Sequence, residues 1–130
     1  EQLVNTYDNS ILYTDHLLAS TVRWLQRSAQ QRPLDTAMVY VSDHGESLGE
    51  NNLYLHGLPY ALAPRFQTHV PMLTWLSPAM QTRLGMRDGC LQKSAATPLT
   101  HDNLFHSMLG LLDVNTTLHR PALDIFAGCR

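Results

Sequence analysis

The chain is poor in charge, cysteine and aromatic side chains, and it has no long apolar run. Of its 130 residues, 15% are charged, 8% are aromatic and 2 are cysteines. The formal net charge of −2, with no cluster of Lys and Arg, leaves no electrostatic footprint for nucleic acid. No basic run suits an anionic membrane surface either. No stretch approaches the roughly 20 apolar residues that span a bilayer, and none has the order of a signal peptide. Neither Cys90 nor Cys129 has a C-x-x-C neighbour, which argues against a redox or zinc–thiolate role; two free thiols and one bridge stay open. There is no internal repeat and no low-complexity tract. What is present is globular: at 44% hydrophobic residues the chain suffices for one domain or a piece of one.

Seven histidines are many for this length and favour a metal or phosphate site without locating it. The stretch Met38-Val39-Tyr40-Val41 reads as a short buried strand, and it runs directly into Ser42-Asp43-His44-Gly45-Glu46. Open α/β sheets place their chemistry just beyond strand ends. A carboxylate and an imidazole emerging there together can bind one Zn²⁺ through O and N, with Gly45 allowing the turn that aims them. The bland alternative is a surface turn in which Asp43 hydrogen-bonds its own backbone. Residues 46–52 are polar and glycine-containing, the composition of an exposed loop that can fold back and return His56 to the strand end. His56 suits a metal ligand, a phosphate donor or a general acid equally. His69, His101, His106 and His119 read as solvated or satisfied in the core.

Apolar residues at helical spacing, Ile11, Leu18, Val22 and Leu25, predict an amphipathic helix over 7–29, ended by Arg32-Pro33. A second strand is expected over 70–76, with Pro71 near its start or on an edge. Residues 77–99 read as irregular, with a short helix near 79–84. Thr100 is a good N-cap for a last helix presenting Leu104, Met108, Leu111 and Leu112 on one face, with Gly110 a cost inside it. Two strands and two helices do not close an α/β layer, so a large exposed apolar face is expected.

The run Val41-Ser42-Asp43-His44-Gly45-Glu46-Ser47-Leu48-Gly49-Glu50-Asn51, followed by Tyr54-Leu55-His56-Gly57 and Ala63-Pro64, resembles the C-terminal part of the phosphoethanolamine transferases. Those bacterial inner-membrane enzymes move phosphoethanolamine from phosphatidylethanolamine onto lipid A, and they include the mobilised colistin-resistance enzymes. Asn5-Thr6-Tyr7-Asp8-Asn9-Ser10 resembles the family's upstream helix. His101-Asp102-Asn103-Leu104-Phe105-His106 and the closing Leu123-Asp124-Ile125-Phe126-Ala127-Gly128-Cys129-Arg130 resemble its last helix and tail, in the lipid A-specific branch. Asp-His-Gly-Glu alone is shared with sulfatases; its combination with Tyr-Leu-His-Gly is far more specific.

The resemblance implies an alkaline phosphatase/sulfatase-like α/β/α sandwich, of which residues 1–130 are the C-terminal part. The upstream half of the catalytic domain and the membrane helices then lie before Glu1. It implies a zinc held by a glutamate, a threonine nucleophile, an aspartate and a histidine. Asp43 and His44 match the last two of those ligands, and no catalytic nucleophile falls within this chain. His56 matches a histidine contacting the phosphoryl group or a second zinc, and Glu46 an acidic residue near the same group, where a carboxylate can pair with the ethanolamine ammonium. The implied reaction passes through a phospho-threonine, with phosphatidylethanolamine as donor and lipid A as acceptor, at the inner membrane facing the periplasm. The outcome is lipopolysaccharide modification and polymyxin resistance. That oxidising compartment favours a Cys90–Cys129 disulfide, which over a loop of about 40 residues would restrict the unfolded chain by roughly 4 kcal/mol. Two other classes remain open: a sulfatase or phosphodiesterase of the same superfamily, and a non-catalytic piece acting only as a partner surface.

Overall fold

The computed structural model describes residues 1–130, which form two compact units, Glu1–Ser77 and Pro78–Arg130. The first unit begins with helix α1 (Gln2–Gln31), longer at both ends than its apolar stripe suggests. The hydroxyls of its first half are satisfied within the same helix, Thr6 Oγ1 donating to Gln2 O, Ser10 Oγ to Tyr7 O and Thr14 Oγ1 to Ser10 O. Thirty residues make α1 about 45 Å long, yet none of its side chains is fully buried. Leu18, Val22 and Leu25 are half-buried as the spacing predicts, while Ile11 is exposed along with Leu12, Tyr13, Leu17 and Trp24. The expected exposed apolar surface is therefore present, much of it on this helix. Arg32 ends the helix in extended backbone (φ −143°, ψ 150°), the conformation that Pro33 imposes on the residue before it.

Strand β1 (Ala37–Val41) pairs antiparallel with β4 (Met72–Leu76), in the register Val39 opposite Thr74. The pair is tied off at both ends. Thr36 N donates to Ser77 Oγ and Ser77 N to Thr36 O at one end, and Ser42 N donates to Pro71 O at the other. Pro71 lies immediately before β4, where its missing N–H costs nothing.

Beyond Ser42 the chain turns into a second, smaller sheet, β2 (Ser47–Leu48) against β3 (Tyr54–Leu55). Residues 46–52, expected to be a plain loop, thus contain a strand and a 3-10 turn over Glu50–Asn52. The composition misled because the turn is built from side-chain and left-handed backbone devices. Leu48 N donates to Glu50 Oε2 at 2.7 Å, and Asn51 and Asn52 take positive φ of 54° and 60°. Gly45 fixes where this hairpin starts: its N–H donates to Gln67 O at 2.9 Å, and a Cβ there would overlap the Phe66 carbonyl oxygen. Helix α2 (Arg65–Thr68) supplies that carbonyl and also the buried Gln67, whose Nε2 donates to the buried Ser47 Oγ at 2.9 Å.

The second unit holds three helices, α3 (Pro78–Arg83), α4 (Cys90–Ser94) and α5 (Asp102–Leu111), and a tail of two 3-10 turns. Helix α4 went unread because it is short and starts after Gly89, in left-handed backbone. The N-cap of α5 is His101, without a side-chain cap bond, and not the expected Thr100. The Thr100 N–H is instead taken up by Asn103 Oδ1, and Asn103 N donates to Thr100 O. The buried face of α5 differs from the expected one. Asn103, His106, Ser107, Gly110 and Leu111 are buried, whereas Met108 and Leu112 are exposed. The reason is the tail, which docks through polar groups: Asn103 Nδ2 donates to Leu123 O, Ile125 N to Ser107 Oγ and Arg120 N to His106 Nδ1. Asp124 anchors it, with a fully buried carboxylate that accepts from Phe126 N and lies 3.3 Å from His119 Nε2 and 3.6 Å from Arg130 Nη2. Gly110 is no mere cost, since a Cβ at that position would overlap the Asp124 carboxylate. Cys90 and Cys129 form a disulfide with Cα atoms 5.6 Å apart, fastening the tail's last turn to α4.

Two substitutions test these close approaches. Gly45→Ala and Gly110→Ala should each destabilise the protein by about 1–3 kcal/mol, the usual cost of overpacking, read from urea midpoints. Solvent-exposed Gly128, with open space around its Cα, should tolerate alanine with a far smaller change.

Candidate functional site

The hairpin register assembles the site. Ser47 pairs with Leu55, so the next pair outward is Glu46 opposite His56, and in antiparallel strands such partners face each other. Glu46 Oε1 accordingly lies 2.7 Å from His56 Nδ1. His44, two residues before Glu46, reaches the same side: its ring stacks on that of His56 with centroids 3.7 Å apart and planes inclined by 29°. The backbone accepts strain to do this, because Leu55 holds a positive φ of 64° immediately before His56.

His44, Glu46 and His56 each offer one ligand atom, all within 4.8 Å of one another, in a set capable of holding a metal ion. Two imidazole nitrogens and a carboxylate oxygen are donors that suit zinc and other divalent first-row metals. One feature favours a cation directly. Glu46 Oε2 is buried and has no hydrogen-bond partner, a costly condition for a carboxylate oxygen that a bound cation would relieve.

Asp43 lies apart from this group. Its side chain is 89% exposed, its Oδ1 accepts a hydrogen bond from His44 N at 3.1 Å, and its Oδ2 is 3.7 Å from His44 Nε2. The self-bonded turn read from the sequence is therefore visible in its geometry. His44 Nδ1 is 3.1 Å from Gly45 O and 4.0 Å from Glu46 Oε1. The imidazole of His44 thus has a carboxylate off each ring nitrogen and is the shared member of two groupings, Asp43–His44 and His44–Glu46–His56. The resemblance put Glu46 near the same phosphoryl group as His56, without predicting their direct contact. The signal that joins them is the strand register, hidden while residues 46–52 read as loop. His106 and His119 belong to the tail contact described above and lie outside this cluster.

Comparison with known proteins places these features in a family. The sulfatase family matches residues 1–114. Phosphoethanolamine transferase EptA of Salmonella typhimurium (strain LT2) is 52% identical over 131 aligned residues, covering 100% of this chain and 24% of that protein. Phosphatidylethanolamine transferase Mcr-1 of Escherichia coli is 42% identical, over 88% of this chain and 19% of that protein. The crystal structure of the soluble domain of lipooligosaccharide phosphoethanolamine transferase A from Neisseria meningitidis superposes with a TM-score of 0.90 at 47% identity, over 98% of this chain and 38% of that one. The chain spans about a quarter of the length of the curated relatives first matched, 24% in the case of EptA. No helix here is long and apolar enough to cross a membrane. In its open-sheet α/β architecture and in its sequence, the chain belongs to the sulfatase family, within the branch of the bacterial phosphoethanolamine transferases.

Proposed function

We propose that this chain is part of the catalytic domain of a zinc-dependent enzyme that transfers phosphoethanolamine from phosphatidylethanolamine to lipid A. The domain would face the periplasm at a bacterial inner membrane, with the threonine nucleophile, the glutamate ligand and the membrane helices carried by residues outside these 130. The observation that supports this reading best is the His44–Glu46–His56 cluster, with its buried, unpartnered Glu46 oxygen. The relatives supply the substrate class: they are phosphoethanolamine and phosphatidylethanolamine transferases.

In this reading Asp43 and His44 are the zinc ligands contributed by this chain. The exposed Asp43 carboxylate, 3.7 Å from His44 Nε2, is free to turn toward the same ion. Bound there, zinc would supply positive charge to the transferring phosphoryl oxygens and lower the pKa of the attacking hydroxyl. His56, oriented by the Glu46 carboxylate on Nδ1, keeps Nε2 for a phosphoryl oxygen. The ammonium of the ethanolamine pairs with the second Glu46 oxygen, which has no partner in the protein.

In the full-length protein, His44→Ala should lower bound zinc and reduce transfer to lipid A by about 10³-fold or more. His56→Ala should keep the zinc and slow transfer by roughly 10²–10³-fold, the scale of a lost transition-state contact. Lipid A modification at wild-type level by His44→Ala would overturn the assignment. Release of phosphoethanolamine into water in place of transfer would identify a hydrolase of the same superfamily.

A further inference from the structure

The hairpin that carries Glu46 and His56 is too small to hold its own shape. It has two residue pairs, Ser47 with Leu55 and Leu48 with Tyr54, and an isolated two-stranded hairpin is marginal in water. A contact from outside must fix the direction in which Glu46 points. That contact comes from α2, with a side chain 20 residues beyond Ser47.

Gln67 holds the residue on each side of Glu46. Its carbonyl oxygen accepts from Gly45 N at 2.9 Å, and its side-chain Nε2 donates to Ser47 Oγ, also at 2.9 Å. Gln67 is 6% exposed and Ser47 1%, so water does not compete for the second bond. Successive side chains along a strand point to opposite sides. With Ser47 turned toward α2, Glu46 is turned away from it, to where Oε1 meets His56 Nδ1 at 2.7 Å. The clamp is itself anchored. Gln67 N donates to Pro64 O and His69 N to Arg65 O, and Pro71 O, just beyond, accepts from Ser42 N at the end of β1. The hairpin is thus referred to the same ladder from which His44 emerges. A glutamine that only filled space could be replaced by methionine, which has similar length but no donor for Ser47 Oγ.

We infer that Gln67 is a positioning residue of the proposed transfer reaction: through Gly45 and Ser47 it sets the Glu46 carboxylate against His56 and so aims the His56 ring at the phosphoryl group. This deepens the reading of His56 given above and rests on it for any effect on rate. An ionised carboxylate only accepts, so the contact fixes a proton on Nδ1 and with it the orientation of the ring. Without the Gln67 bond the strand is free to rotate about Glu46. A misplacement of about 1 Å in such a group can cost up to about 10²-fold in rate.

The test separates stability from positioning. In Ser47→Ala/Gln67→Met both buried partners become apolar, which leaves neither polar group unsatisfied and can be nearly neutral for folding. Thermal unfolding of the full-length protein checks that neutrality. The positioning readout is the ¹⁵N–¹H signal of His56 Nδ1 in full-length protein labelled with ¹⁵N-histidine, recorded before zinc or substrate is added and identified by its loss in His56→Gln. The expected result is a thermal midpoint close to wild type and loss of the Nδ1–H signal through exchange with water. The kcat for transfer should then fall about tenfold, with KM for phosphatidylethanolamine within about twofold of wild type. An Nδ1–H signal kept at wild-type strength would overturn the inference, whatever the rate does. So would a double variant that melts far below the wild type, because the pair would then serve folding alone. Loss of the signal with an unchanged kcat would also overturn the positioning role. If the wild-type protein transfers no phosphoethanolamine and the signal still depends on Gln67, the proposed function fails while the clamp on Glu46 and His56 stands.

Discussion

The 2.7 Å contact between Glu46 Oε1 and His56 Nδ1 holds together segments of chain that would otherwise diverge. It exists because the small hairpin pairs Ser47 with Leu55, and that register exists because Gly45 presses its backbone against the carbonyls at the start of α2. His44 then stacks on His56 as the chain leaves the β1–β4 ladder. A one-residue slip would send Glu46 and His56 to opposite faces, since side chains alternate along a strand. The strained Leu55 backbone and the orphaned Glu46 oxygen are departures from local comfort concentrated within a few residues. Such concentrations are expected where a structure is organised for a ligand and not for stability alone.

The second unit follows a different logic. Its tail is fixed by a buried carboxylate and by polar groups on α5, with the Cys90–Cys129 bridge closing the last turn. The desolvation of the buried Asp124 carboxylate is offset by an imidazole, a guanidinium and a backbone N–H around it. This explains why a helix with an evident apolar stripe turns its Asn, Ser and Gly positions inward: Asn103 donates to the tail, Ser107 accepts from it, and Gly110 leaves room for the Asp124 carboxylate. Met108 and Leu112 are left exposed as a consequence.

Much of the architecture was legible from residues alone. The apolar stripe of α1, the Arg32-Pro33 stop and the run at Met38–Val41 each carry a local cause that acts without the rest of the chain. For the candidate site, the resemblance named its members and put Glu46 near His56, but the 2.7 Å contact between them carries no local signal. Asp43 and His44 announce themselves by following a strand, and His56 by the Tyr-Leu-His-Gly motif. The opposition of Glu46 and His56 depends on a hairpin whose turn uses Asn51 and Asn52 in left-handed backbone, and composition reads that as plain loop. The inward face of α5 was unreadable for a related reason, because its partner is a tail more than ten residues on whose contacts are polar and carry no periodic signal.

The central proposal is that His44 is the hub of a divalent-metal site; the cluster of two imidazoles and a carboxylate is what supports it. The direct measurement is zinc anomalous scattering from crystals of the zinc-loaded full-length protein. The account predicts an anomalous peak about 2.0–2.1 Å from a ring nitrogen of His44, with the Asp43 carboxylate also coordinating and His56 at the same site. A peak elsewhere, with the His44 ring left hydrogen-bonded to its own backbone, would contradict it.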